Sequence, residues 1–180
     1  ETLGDIKEFL DDGYKLEKNT ILTARKSDMK EPSKINDQIN IKIISSKKDW
    51  QSVVDVQVAA TNDYADFYPK QALLYQRMID QNMGHWFGAF IGERLVGSLG
   101  VFKEGKIGRF QIVSTHPDFG RQGICSNLVY RASLYAFEKM EIEELVMVAD
   151  EDYYAAKIYE RVGFIPTEKM YGLCKWQKNI

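Results

Sequence analysis

The sequence predicts an α+β fold, a mixed and mostly antiparallel twisted sheet flanked by helices, with one β-α-β crossover. Three observations predict it. "HWFGAFIG", "RLVGSLGVFKEG" and "IGRFQIVST" are apolar or alternating segments joined by turn signals at Gly92-Glu93 and Glu104-Gly105, the pattern of an antiparallel meander. "DFGRQGICSNL", from Asp118 to Leu128, then sets two glycines and an arginine ahead of a helical stripe of Ile124, Leu128, Ala132, Tyr135 and Ala136. "ELVMVA" follows as an unbroken apolar run, as expected of a central strand covered on both faces, and it has to return parallel to the strand before the helix.

From the start of the chain, "DIKEFLDDG" carries Ile6, Phe9 and Leu10 at helical spacing and stops on Gly13, and "NTILTA" suits a short strand. "KSDMKEPSKINDQ" is polar, charged and interrupted by Pro32, so it reads as a linker. The expected division is an extension over 1–38 and one domain over 39–180. "INIKII" is strand-like, Ser45 or Ser46 is placed to cap a helix striped by Trp50, Val53, Val54 and Val58, and a second helix is expected from Pro69 to about Gln81. After the crossover, Ala155, Ile158, Tyr159 and Val162 stripe a helix expected over 152–162; it stops at Gly163 with Pro166 beyond, and "MYGLCKW" closes the chain as a strand. "FLDDGYKLEKNTILTA" also echoes "YERVGFIPTEKMYGLC", with an aromatic residue, three others, glycine and a second aromatic before a strand. A vestigial repeat and a chance match both account for so short an echo.

Composition narrows the function. The 24 basic and 26 acidic side chains give a net charge of −2 without a long single-sign block, so neither nucleic acid nor a membrane surface is an expected partner. Cys125 and Cys174, with only His85 and His116 beside them, make neither a disulfide framework nor a metal-ligand spacing, and no metal is expected. No apolar run approaches the roughly 20 residues of a membrane span, and the first residues lack the pattern of a signal peptide. A cytoplasmic protein is the expectation.

The glycine turn has two readings. It is a tight strand-to-helix connection that binds nothing, or it is an anion site, since first-turn N–H groups of a helix lack internal partners and sit at the positive end of the macrodipole. On the second reading Gly123 lets the backbone close on the anion, Arg121 adds a cation, and Gln122, Ile124, Cys125 and Ser126 offer N–H groups and one hydroxyl. No Lys-Ser or Lys-Thr follows the glycines, so this is not a Walker loop, and the three glycines of a dinucleotide fingerprint are missing.

"VSTHPDFGRQGICSNLV" followed by "ELVMVADEDYYAAKIYERVGF" resembles the GNAT superfamily of acyl-CoA-dependent N-acyltransferases over roughly residues 39–180. The family's first motif is Gln or Arg, two residues, Gly or Ala, one residue, Gly or Ala; Gly123 fits it, while Gly120 and Cys125 depart from it and Arg121 stands one place late. The second is Asn, two residues, Ala, three residues, Tyr and then Gly-Phe, matched by Asp152 in place of Asn and by Ala155, Tyr159, Gly163 and Phe164.

The resemblance implies a GNAT-like sheet, acetyl-CoA as cosubstrate held by Ile112, Val113, Thr115, residues 120–126, Asp152 and Ala155, and attack of a neutral amine on the thioester. It assigns main-chain groups of Ile112, Val113 and Thr115 to the pantetheine arm and carbonyl; plain sheet pairing is the alternative for all three. It assigns Tyr159 as the acid for the departing thiolate. A phenol near pKa 10 against a thiol near 8.5 makes that transfer uphill by only about 1.5 units. His116 reads as a loop residue before Pro117 and Cys125 as a small packing residue. Arg109, Gln111, Asp150 and Glu151 are polar candidates near the thioester, and no spacing selects one as base. The acceptor, a small-molecule or peptidyl amine, is expected near "NDYADFYP", where Asp63, Tyr64, Asp66, Phe67 and Tyr68 either receive a cation or anchor an ordinary loop. An acyl-CoA-binding regulatory module without turnover is the alternative to the enzyme, and the reading leaves room for a homodimer.

Overall fold

A computed structural model describes residues 4–61 and 65–175. The strands are β1 (Lys15–Ala24), β2 (Ile39–Ile43), β3 (Gly84–Ile91), β4 (Arg94–Glu104), β5 (Ile107–Thr115), β6 (Glu144–Asp150) and β7 (Ile165–Cys174). The helices are α1 (Lys7–Asp11), α2 (Lys47–Thr61), α3 (Tyr68–Asp80), α4 (Ile124–Lys139) and α5 (Ala155–Arg161). One seven-stranded sheet runs in the order β2-β3-β4-β5-β6-β1-β7. Every neighbouring pair is antiparallel except β5 and β6, which run parallel through Ile107–Arg109 and Glu144–Val146. The mixed sheet, the meander β3-β4-β5 and the crossover through α4 are those the sequence predicts.

Side-chain alternation divides the core between the two faces of the sheet. On β3, Trp86 joins Trp50, Val53, Tyr68, Ala72 and Phe102 beneath α2 and α3, while Phe87 and Ala89 join Leu99, Phe110, Leu128 and Ala132 beneath α4. Local chemistry fixes the helix starts. The Asp49 N–H donates to Ser46 Oγ at 3.0 Å, an N-terminal cap on α2. Gly123, at φ 78° and ψ 4°, turns the chain into α4 from a left-handed conformation that a residue with a Cβ enters at a cost.

The structure moves one helix boundary. The sequence starts the last helix at Asp152, but Asp150 Oδ1 accepts the Asp152 N–H at 2.9 Å and Asp150 O accepts the Tyr153 N–H at 3.2 Å. This local turn occupies the backbone groups that would begin the helix, so α5 starts at Ala155. β1 and β7 are longer than the segments the sequence marks, each 10 residues, and the expected last residue of the final strand, Trp176, lies outside the described residues.

β1 has a position no local pattern indicates. It lies between β6 and β7, pairing Asn19 with Asp150 and Ala24 with Leu145 on one edge, and Lys15 with Cys174 and Thr23 with Ile165 on the other. Leu22 and Ala24 are fully buried there. The polar segment after it is tied down as well. The Lys30 N–H donates to Val162 O at 3.1 Å, and Asn127 Nδ2 donates to Lys34 O at 2.8 Å. At Gly163 (φ 110°) a Cβ would lie 2.1 Å from Asp28 O, so this segment passes where only glycine gives it room.

Candidate active site

The site begins where β5 leaves β6. Pairing with β6 stops at Arg109, so from Phe110 onward that edge of β5 has no strand partner among the described residues. On its other edge the register slips: Ser114 faces Ser98 and Gln111 faces Gly100, which leaves Ile112 and Val113 together opposite Leu99. That is a β-bulge. Ile112 takes φ 44°, a conformation that a branched residue rarely adopts and that costs on the order of 1–3 kcal/mol. Ile112, Val113 and Thr115 lie on the stretch of β5 beyond its pairing with β6, Thr115 still paired with Gly97 of β4.

The chain then turns through Pro117–Phe119, a 3-10 turn capped by the His116 side chain, whose Nδ1 accepts the Asp118 N–H at 3.3 Å. His116 thus closes the turn before Gly120, in the loop position the sequence gives it. The Gly120 N–H donates to Pro117 O at 3.1 Å and belongs to that turn. From Arg121 through Ser126, none of the six N–H groups has an acceptor among the described residues. Arg121 itself sits at φ 60°, and with Gly123 it bends the backbone into a concave run of donors at the start of a 16-residue helix. Residue types that would cradle a phosphate group are thus present in the conformation that exposes their amides.

Residues outside the motif hold this turn. Asn36 Nδ2 donates to Gln122 O at 2.8 Å, Lys34 Nζ to Arg121 O at 3.3 Å, and Asn127 Nδ2 to Gly123 O at 2.8 Å. These bonds satisfy the carbonyls of Arg121, Gln122 and Gly123 and leave the N–H groups of the turn without acceptors among the described residues. Lys34 adds a second cation beside Arg121. Sequence reasoning missed all three, because Lys34 and Asn36 come from a segment far away in the chain; Asn127, four residues after Gly123 on the new helix, was the only one with a readable position. Ser126 Oγ donates to Gly123 O at 3.0 Å, so its hydroxyl holds the turn.

A Cβ on Gly123 would lie 3.0 Å from Lys34 O. Gly123→Val is expected to lower stability by about 1–2 kcal/mol and, where the turn holds the acetyl-CoA that the resemblance implies, to weaken that binding at least ten-fold, since it adds both the contact and a branched side chain at positive φ. Calorimetric titration beside a thermal melt checks this; unchanged affinity would leave the turn purely structural.

α5 supplies Tyr159, which is 5% exposed and packs edge-on against Phe164 with ring centroids 6.4 Å apart. Burial pushes its phenol pKa well above the ordinary value, with the neighbouring Cys125 adding to the rise. α5 packs against α4. No hydrogen bond among the described residues engages its hydroxyl, which stays protonated through the neutral range. The Cys125 thiol is itself pushed up to about 12 by burial, so it is an inert packing group. Asp152 is exposed in the turn ahead of α5, and Ala155, its first residue, packs half-buried against the core.

Three of the four polar candidates near the thioester, Gln111, Asp150 and Glu151, have other partners. Glu151 is ion-paired with Lys169, and that bond holds its carboxyl below the usual range. Gln111 Oε1 accepts from Tyr75 Oη at 3.4 Å, and Asp150 caps the turn before α5. Of the expected acceptor loop, Asp63 and Tyr64 lie outside the described residues, Asp66 and Phe67 are exposed, and Tyr68 is buried as a packing anchor of the core beneath α2 and α3. Among the described residues no cluster of His, Cys, Asp or Glu is arranged to hold a metal, and no helix is long and apolar enough to cross a membrane.

A family model for the acetyltransferase (GNAT) domain matches residues 48–171. A functionally unknown conserved protein from Staphylococcus epidermidis has a similar structure, with a TM-score of 0.69 at 17% identity over 96% of this chain and 68% of its own. So does a GCN5-related N-acetyltransferase from Kribbella flavida, with a TM-score of 0.67 at 17% identity over 91% of this chain and 60% of its own. A spermidine N-acetyltransferase from Vibrio cholerae, solved in complex with CoA and spermine, gives 0.58 at 18% identity over 77% of this chain and 96% of its own. The chain thus spans about two thirds or less of the first two neighbours. No curated protein matches the sequence.

Proposed function

The chain belongs to the GNAT acetyltransferase family, and from that premise we propose that it transfers the acetyl group of acetyl-CoA to a primary amine of a small molecule or a peptide. The observation that carries this reading is the run of six N–H groups from Arg121 to Ser126 without acceptors, following the stretch where β5 parts from β6. The donor set suits a pyrophosphate, and Arg121 and Lys34 add positive charge beside it. The N–H groups of the bulge at Ile112 and Val113 suit the pantetheine arm and the thioester carbonyl, whose oxygen gains negative charge as the amine attacks. A carbon–nitrogen bond forms and the carbon–sulfur bond breaks; Tyr159 gives its proton to the leaving thiolate, and the proton of the attacking amine passes to solvent. Residues 39–180 would supply this machinery together with Lys34 and Asn36 of the segment before them, Asp152 and Ala155 lining the approach of the cosubstrate. A cytoplasmic location is part of the same proposal.

Thermal shift tests it. Acetyl-CoA and coenzyme A are expected to raise the melting temperature, NAD and ATP much less at equal concentration, because a ligand at 100 times its dissociation constant stabilises the fold by about 2.7 kcal/mol. Equal shifts from all four would sink the reading. Thiol release against a panel of amines then separates turnover from binding alone. The ion-paired Glu151 and the engaged Gln111 favour an amine that arrives neutral, and activity is expected to rise with pH toward the amine's own pKa.

A further inference from the structure

The helix–strand unit α1-β1 is a structural copy of α5-β7. Phe9, Gly13 and Tyr14 correspond to Tyr159, Gly163 and Phe164, and the two segments share more than that pattern. The Tyr14 N–H donates to Phe9 O at 2.9 Å as the Phe164 N–H donates to Tyr159 O at 3.1 Å, and the Gly13 N–H donates to Leu10 O at 3.0 Å as the Gly163 N–H donates to Glu160 O at 3.1 Å. Both glycines have positive φ, 86° and 110°. Both aromatic pairs meet edge-on, with centroids 5.7 and 6.4 Å apart. Each of these features belongs to a Schellman cap, so the caps alone show two alike helix ends, and it is the pairing of the two strands that follow them which extends the likeness.

The two copies pair with each other about a local two-fold axis. Asn19 pairs with Met170 and Thr20 with Lys169, and by the repeat Asn19 corresponds to Lys169 and Thr20 to Met170. Their surroundings are not equivalent. α5 lies on its own crossover strand with Tyr159 buried, whereas α1 buries nothing and leaves Phe9 48% and Leu10 45% exposed. β1 has β6 on its far edge and buries Thr20, Leu22 and Ala24; β7 is the last strand of the sheet, and Met170, in the place of Thr20, is 40% exposed, with Tyr171 beside it at 39%. Phe9, Leu10, Met170 and Tyr171 thus lie on the side where the two-fold axis calls for a second crossover strand, and the described residues supply none.

We infer that this surface docks a second unit of the same fold, whose closing helix and strand are α1 and β1, and whose crossover strand adds antiparallel to the free edge of β7. A second copy of this chain does not fit the position, because its β6 already pairs with β5 on one edge and β1 on the other. The occupant needs a crossover strand with a free edge. Since α1-β1 serves as its closing unit, it belongs to the same polypeptide on the N-terminal side. Each unit then completes the other's sheet with its own last strand, and the edge that would otherwise invite aggregation is covered.

The test uses the 180-residue chain and, as a stand-in for the missing strand, a synthetic peptide with the sequence of residues 143–152. Amide NMR and hydrogen exchange are read during titration into the millimolar range. Protection of the 169–174 amides is expected to rise at least ten-fold, with shifts at Phe9 and Leu10, and a scrambled peptide should produce neither. Met170→Glu and Tyr171→Glu, both at exposed positions, should leave the melt intact and abolish the effect. No change in β7, equal change with the scrambled peptide, or a dimer by sedimentation that Tyr171→Glu dissociates would each overturn the inference, the last by naming a second copy as the occupant.

Discussion

Deleting residues 1–38 is expected to abolish cooperative folding, not to trim an appendage. β7 is attached to the sheet through β1 alone, so the deletion removes one strand and detaches another. It also uncovers the edge of β6 and the apolar surface against which Leu22 and Ala24 are buried. Truncating a single buried leucine to alanine commonly costs 2–5 kcal/mol, and a domain's net stability is about 5–15 kcal/mol, so the loss of a whole strand exceeds what the remainder can absorb. Circular dichroism melts of residues 39–180 beside the whole chain decide it. A sharp melt for 39–180 near the whole-chain temperature would show that β7 moves into the place of β1 and that residues 1–38 are dispensable. Leu22→Asp is the milder form, and it should lower the melting temperature steeply without removing any residue.

The second large effect is on catalysis. Tyr159→Phe keeps the ring that packs on Phe164 and removes a hydroxyl that no described residue engages, so stability should change little. If that hydroxyl protonates the departing thiolate, kcat should fall by roughly 10² to 10⁴ while acetyl-CoA affinity stays near wild type. A fully active variant would remove Tyr159 from the mechanism and leave solvent as the proton source. The pH profile gives an independent check. Burial raises the phenol's pKa above its ordinary value, so Tyr159 keeps its proton further into the alkaline range than a free tyrosine does. A fall in wild-type kcat below pH 9 must then arise from another group, and Tyr159→Phe should retain that limb at its reduced rate.

The sequence makes the meander legible because its alternation and its glycine turns are local signals: Gly92 and Gly105 both adopt the positive φ that their turns require. Gly123 is legible for the same reason. The start of α5 was obscured because Tyr153 and Tyr154 continue into a helical stripe while the competing hydrogen bond comes from the side chain of Asp150. The bulge at Ile112 and Val113 carries no glycine or proline to announce it, and two β-branched residues in a strand look like ordinary pairing positions. Lys34 and Asn36 hold the glycine turn from a segment whose composition says only that it is polar. The place of β1 is the clearest limit, since strand order depends on contacts between distant parts of the chain and leaves almost no trace in local periodicity.

That strand order also governs how the molecule assembles in time. β1 is made before every other strand of the sheet, yet its neighbours β6 and β7 are made last. During synthesis it must wait, unpaired, while β2 to β5 form a meander whose contacts are near in sequence. Closing the loop from Lys15 to Cys174 is the entropically expensive step of the fold and comes late. Refolding after dilution from denaturant should therefore be biphasic: a fast phase that buries Trp86 within the meander, and a slower one that ends when β1 enters between its two partners.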